Sequence, residues 1–508
     1  MERRELLRNT NFGARIAEEE TARLARYFVE TDQWHRIYRG EIDVIKGDKG
    51  TGKSAIYSLL IAKSSEFFDR GVLLVAAEKP QGTPVFKELT TDPPTKEREF
   101  IHLWKLYIVT IIIETAHDYG ISNSYIDDVR TRLIDQGFIE DTLDLSRLLR
   151  KALNYVRRWV DPKHLGTQFS IDPTTGAPNL SVTIAPSEPN DSDKAKGVVS
   201  IDRLVESVER GLAQANFEVW VLLDRLDVAF AETHNLEKNA LRALFRVYMD
   251  FGGLTKIKLK IFIRSDIWED IVDEGFREAS HITKDIVIGW SQSALLNLII
   301  RRIVDNESIC VEFNIEKTSV LNNFNEQIEL FYKLVPKQID QGSRKPPTLD
   351  WILSRCADGT GKTAPREVIH LLNTLREEEV KRLEQGNPVP QENRLFDRSV
   401  FKAALPAVST ARLIQTIYAE YPEKKPFLAK LEGEKTEQTL SSLAEIWGGQ
   451  SQVDAQALAE DLVRIGFFQR KGSREEPTFW VPFLYRDALK MSQGKAGDAN
   501  RPDDDLDE

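Results

Sequence analysis

The chain is poor in cysteine and methionine and has no long apolar runs: its 508 residues include two Cys and three Met. Cys310 and Cys356 cannot by themselves build a disulfide framework or a zinc site. They fit a reducing compartment. No run of about 18 uncharged apolar residues occurs, which excludes an ordinary membrane-spanning helix. The most apolar segment, LYIVTIIIETA over 106–116, is too short to span and is flanked by Lys105 and Asp118. It reads as the middle of a buried helix. The opening MERRELLRNTNFG lacks the apolar stretch of a signal peptide, so the cytoplasm is the expected location. A basic excess is missing too, since 69 Lys+Arg stand against 80 Asp+Glu for a net charge of −11. That excludes a small basic nucleic-acid module and requires any DNA contact to be local. No repeat of fixed period is present, which argues against solenoids and propellers.

What is present is enough chain for two to four domains and an alternation of strands and helices in the first half, the pattern of an α/β fold. An amphipathic helix is expected over 15–30, then a strand over 42–45, a glycine-rich turn and a helix from Lys53. Further strands are expected over 72–76, 217–223 and 258–263, with helices over 97–117, 201–215 and 237–251. Between them, 161–199 is rich in Pro, Gly, Ser and Asn, and LSVTI over 180–184 reads as part of a hairpin. Beyond Trp290 the pattern becomes helical, and GNPVPQEN over 386–393 marks a break. After it come helices, including 438–447 and 453–465, and two strand-like segments at 467–470 and 478–482, the order of a winged helix. The tail from 491 is polar and ends in five acidic residues among the last six, and it is expected to be disordered. The expected division is a core over 1–290 with a helical and hairpin insertion at 95–200, a helical lid over 291–390, a winged helix over 391–490 and the tail.

One motif carries chemistry. Gly47, Asp48, Lys49, Gly50, Thr51, Gly52, Lys53 and Ser54 match G-x-x-x-x-G-K-[ST], the Walker A pattern, between an expected strand and an expected helix. Glycines let successive backbone N–H groups turn toward one point, where they and the helix N-terminus bind phosphate oxygens. Lys53 is placed to reach the β- and γ-phosphates and Ser54 to ligate Mg²⁺. A second magnesium-side acid should end another buried strand, and VWVLLD supplies Asp224. Arg225 follows where many ATP hydrolases carry a glutamate. The next carboxylate, Asp227, either orients the attacking water or caps the following segment. The strand KLKIFI leads into Arg264 and Ser265, one of which is the candidate contact to the γ-phosphate or the water. In APRE, Arg366 opens a helix and is a candidate charge sensor, although Pro at a first turn is favoured on structural grounds alone. Arg277 is either a finger for a neighbouring subunit or a solvated arginine.

The segments IKGDKGTGKSAIY, LLDRLDVAF, IFIRSDIW and APREVIHLLN, in this order, resemble the AAA+ and STAND-type P-loop ATPases. They look closest to the branch of origin-recognition and Cdc6-like initiators and of bacterial orphan ATPases found near anti-phage defence genes. The resemblance implies a P-loop core with a parallel sheet, a helical lid and a winged helix. It also implies ATP with Mg²⁺ and a switch whose nucleotide state reaches a protein partner or a second copy. An ATP-gated DNA-binding regulator and a STAND-like sensor that oligomerises with little turnover remain open. The spacing departs from the pattern, because 95–160 and 161–199 lie between the two Walker segments and leave the strand order unsettled. For DNA, Arg470, Lys471 and Arg474 form a small basic patch, but the surrounding charge is near neutral. Trp447, Phe467, Phe468, Phe479, Trp480, Phe483 and Tyr485 read as core rather than as a stacking platform.

Overall fold

The computed structural model describes residues 2–77, 97–139, 184–185, 199–224, 234–273, 275–449 and 451–496. The chain forms two compact units, one of Asp32–Gly47 and Lys53–Val287, the other of Met1–Thr31, Asp48–Gly52 and Ile288–Glu508. Of the expected core of 1–290, residues 1–31, 48–52 and 288–290 fall in the second unit.

The first unit is built on five strands: β1 (Val44–Gly47), β2 (Val72–Ala76), β5 (Glu218–Leu223), β6 (Ile257–Arg264) and β7 (Asp285–Val287). Their order is β2-β5-β6-β1-β7 and every pairing is parallel, which resolves the strand order left unsettled above. Parallel strands covered on both faces should be apolar on both faces. Here Leu73, Val75, Val219, Val221, Leu223, Leu259, Ile261 and Ile263 pack into one cluster with the helices Glu97–Asp118, Ile201–Ala215 and His234–Asp250. The alternate residues face the other way, where Phe262 meets Tyr57 of the helix Lys53–Ala62 and Trp220 meets Phe67 of Ser64–Asp69. The short apolar run over 106–116 lies inside Glu97–Asp118, which is buried on most of its circumference. Trp104 there donates its indole N–H to the Ala240 carbonyl at 2.9 Å. Of the expected hairpin, β3 (Ile184–Ala185) pairs with β4 (Val199–Ser200) in parallel, so the two are not arms of a hairpin; 180–183 lie outside the described residues.

The second unit is helical up to about residue 430 and shares one apolar cluster running from Leu6 to Leu489. Where an amphipathic helix was expected over 15–30, a 3₁₀ turn at Ala17–Glu20 precedes a shorter helix, Thr21–Tyr27. The turn is fixed by Glu20, which is buried and takes Arg302 at 2.8 Å and the Tyr27 hydroxyl at 2.7 Å. The helix Arg398–Arg412 passes into a π-helical turn at Leu413–Tyr418. A four-stranded sheet follows, in the order β11-β8-β10-β9, from β8 (Lys435–Thr439), β9 (Gln469–Gly472), β10 (Pro477–Trp480) and β11 (Ser492–Lys495). β8 replaces the start of the helix expected over 438–447, which begins only at Leu440 behind a Thr439 capping box. β11 pairs in parallel with β8, so the tail expected to be disordered from 491 is ordered there, while 497–508 lie outside the described residues. Trp447, Phe467, Phe468, Phe479 and Tyr485 are buried as expected. Trp480 and Phe483 are half-buried, and Arg486 stacks on both rings.

Candidate nucleotide-binding site

In the first unit β1 ends at Gly47, whose carbonyl accepts the Lys53 ammonium at 2.6 Å, and the helix Lys53–Ala62 starts at that lysine. β6 lies between β1 and β5, and in the ladder Gly47 stands level with Arg264 and Leu223 with Ile261. Asp224, one residue beyond β5 and buried, therefore sits on the same carboxyl edge as Gly47, two strand spacings or roughly 10 Å away in the sheet. Arg264 is committed to its neighbour Asp266, with Nε to Oδ1 at 3.0 Å and a second nitrogen to Oδ2 at 2.5 Å. The adjoining Ser265 hydroxyl is buried and has no hydrogen-bond partner among the described residues. Asp227 and Arg225 lie outside the described residues, and Arg277 is exposed on the 3₁₀ turn Arg277–His281.

The loop between Gly47 and Lys53 belongs by its contacts to the second unit. Gly50 and Gly52 have φ of +89° and +102°, a backbone region open to glycine and strained for other residues. Between them Thr51 closes a tight turn, donating N–H and hydroxyl to the Asp48 carbonyl at 3.3 and 2.8 Å. Trp290 donates its indole N–H to the Thr51 carbonyl at 2.8 Å. Asp48 pairs with Lys362 at 2.9 Å, and Lys49 forms an ion pair with Glu420. At Gly50 a β-carbon would lie 3.1 Å from that of Arg366, so the candidate sensor abuts the loop within this unit. The next residue, Glu367, is buried and accepts from Arg412 at 3.0 Å, with the buried Tyr485 hydroxyl pushed up to about 12 by burial in the same cluster.

Glycines at positive φ, a helix beginning at the last residues of the motif and an ammonium on the loop make a donor-rich set that suits phosphate. The chain has a P-loop fold, a parallel sheet whose β1 leads through the G-x-x-x-x-G-K-[ST] loop into a helix. No protein-family model matches it, and no curated protein matches it. Solved structures similar to it include the Walker-type ATPase of Pyrococcus abyssi, 11% identical over 91% of this chain and 96% of that one, with a TM-score of 0.39. Also similar are two Aeropyrum pernix proteins, each 13% identical over 93% of this chain. ORC2 in ADPNP–ADP complexes is covered over 92% with a TM-score of 0.37, and ORC1 in complex with DNA over 91% with a TM-score of 0.33. The P-loop fold of this chain rests on its own strand order and on the loop that follows β1.

Sequence reasoning missed Trp290, Lys362 and Glu420, which hold the loop. One signal was available. Gly359–Thr360–Gly361–Lys362–Thr363 repeats the pattern of Gly50–Thr51–Gly52–Lys53–Ser54, but Cys356 stands where the first glycine of the full motif would be. In this second copy the Asp358 carboxylate fills the nest of donors itself, accepting from Thr360 N–H at 2.9 Å, its hydroxyl at 2.7 Å and Lys362 N–H at 3.2 Å. It is a turn that binds its own side chain.

Proposed function

We propose that the protein is an ATP-binding and ATP-hydrolysing switch, with the loop Gly47–Ser54 as its phosphate cradle. The observation that carries this reading is the pair of left-handed glycines, Gly50 and Gly52, placed between β1 and the helix that starts at Lys53. In this reading Lys53 neutralises the β- and γ-phosphates, while Ser54 and Asp224 would hold Mg²⁺, which would supply Lewis-acid polarisation of the phosphoryl group. Ser265, with its buried unsatisfied hydroxyl, is the better candidate than Arg264 for touching the γ-phosphate or the water, because Asp266 occupies the arginine. Arg366, packed on Gly50 of the loop, stays the candidate charge sensor. Asp227 stays the candidate base. The expected result for Asp224→Asn is a loss of ATP turnover of about 100-fold with nucleotide binding in EDTA unchanged. Wild-type turnover in that variant sinks the metal assignment.

A second reading adds DNA, because β8, the helices Leu440–Ile446 and Gln452–Arg464 and the antiparallel β9–β10 pair follow the order of a winged helix. Its patch is weak: Arg470 is paired with Glu460 at 2.9 Å, Lys471 lies over Trp480, and Arg474 precedes Glu475 and Glu476. The expected affinity for duplex DNA is low and salt-dependent, and neutralising Arg470, Lys471 and Arg474 together reduces it about tenfold. Absence of any shift at low salt rejects this reading. A third reading, a STAND-like sensor that oligomerises with little turnover, is tested by the mass of the purified protein with and without a slowly hydrolysed ATP analogue, and an unchanged monomer counts against it.

A further inference from the structure

We propose that Glu420 is a positioning residue of the phosphate loop, and that the Lys49–Glu420 ion pair makes nucleotide at the loop and the segment from Leu413 to Glu420 control one another. The inference rests on the reading that the loop binds nucleotide. Lys49 is the third residue of the motif, a place where the pattern asks for no particular side chain. Its ammonium is nonetheless tied to one short segment by two partners, the Glu420 carboxylate and the Gln415 carbonyl at 3.4 Å. Both side chains of the pair are largely withdrawn from solvent, 29% exposed for Lys49 and 22% for Glu420, so screening is weaker than for a surface pair.

The segment opens with a π-helical turn, Leu413–Tyr418, grafted onto the end of Arg398–Arg412, and Glu420 follows that turn by two residues. Such turns are rare and frequently mark functional sites. The residue before this turn, Arg412, is buried and bonded to Glu367, the residue after the one that abuts Gly50. The loop thus meets the start of the turn through Gly50, Arg366, Glu367 and Arg412, and its end through Lys49 and Glu420. A change in the loop backbone that follows from binding a polyphosphate moves Lys49, and the turn must follow or release it. By linkage, whatever alters the turn alters nucleotide affinity by the same factor.

The test uses the full chain, a fluorescent ATP analogue and hydrogen exchange of peptides covering 408–424, for the wild type, Glu420→Gln and the conservative Glu420→Asp. Lys424→Met, which breaks a neighbouring pair with Asp461 at 2.9 Å, serves as the control. We expect nucleotide to change exchange in 413–420 of the wild type. Glu420→Gln should weaken binding roughly fivefold or more and abolish that response, Glu420→Asp, which keeps the carboxylate, should retain both, and the control should alter neither. A purely structural role for Glu420 would lower the melting temperature and leave the nucleotide response intact, which overturns the proposal. Wild-type protein that binds no nucleotide overturns the function proposed above and this inference with it. Wild-type protein that binds while Glu420→Gln binds equally well overturns this inference alone.

Discussion

Two stretches of this chain carry the same five-residue pattern and do different things. Gly50–Ser54 follows a buried strand and runs directly into a helix, which in the proposed reading leaves its donors to a phosphate. Gly359–Thr363 follows the helix Thr348–Cys356 and folds back so that Ala357 and Thr363 bridge, with the Asp358 carboxylate inside the turn. The difference teaches that a phosphate loop is made by what stands on either side of the glycines. The preceding strand sets where the loop leaves the sheet, and the following helix supplies aligned N–H groups. The second copy also leads toward a helix, Pro365–Glu384, but no strand precedes it, and its residues close on the Asp358 carboxylate.

The comparison breaks most visibly at the second copy's first glycine. A β-carbon at Gly359 would lie 2.2 Å from the Phe468 carbonyl oxygen, and the Gly359 N–H donates to the Gly466 carbonyl at 2.7 Å. Gly359→Ala is expected to destabilise the protein by about 3 kcal/mol, seen in chemical denaturation. Destabilisation below about 1 kcal/mol would mean that this turn is not pinned to the strand-bearing region as described.

A smaller effect sharpens the other copy. Trp290→Phe keeps an aromatic ring, smaller than the indole, and removes the donor to the Thr51 carbonyl, so the loop loses one hydrogen bond worth about 1 kcal/mol. Nucleotide affinity should fall roughly fivefold in a direct titration, with the melting temperature of the free protein little changed. Unaltered affinity would show that the indole does not order the loop.

Much of the sheet was legible from the sequence because its signals are local. Strands 72–76, 217–223 and 258–263 are apolar runs of strand length, and the glycine spacing of the loop is a contiguous pattern. The order of the strands was not, since it depends on pairings across long insertions. The loop's partners were illegible for the same reason: Asp48 and Lys362, or Lys49 and Glu420, are more than 300 residues apart in the chain. β8 escaped notice because its inward residues are Thr436 and Gln438, polar side chains satisfied by hydrogen bonds to the Gly494 and Lys435 carbonyls. β11 escaped because Ser492–Lys495 has the composition of a tail and is ordered only by pairing with β8. Arg264 looked like a sensor because nothing in the sequence shows that Asp266 turns back to hold it.

The most direct test compares the two lysines of the two copies by titrating a fluorescent ATP analogue into Lys53→Ala and Lys362→Ala. Lys53 stands on the cradle, and its loss should weaken binding roughly 100-fold, the scale of a lost charge-assisted contact. Lys362 lies outside the cradle and pairs with Asp48 at its edge, with its own side chain exposed, so its loss should weaken binding less than about fivefold. Wild-type affinity in Lys53→Ala, or equal losses in both variants, would contradict the assignment of the phosphate site to Gly47–Ser54.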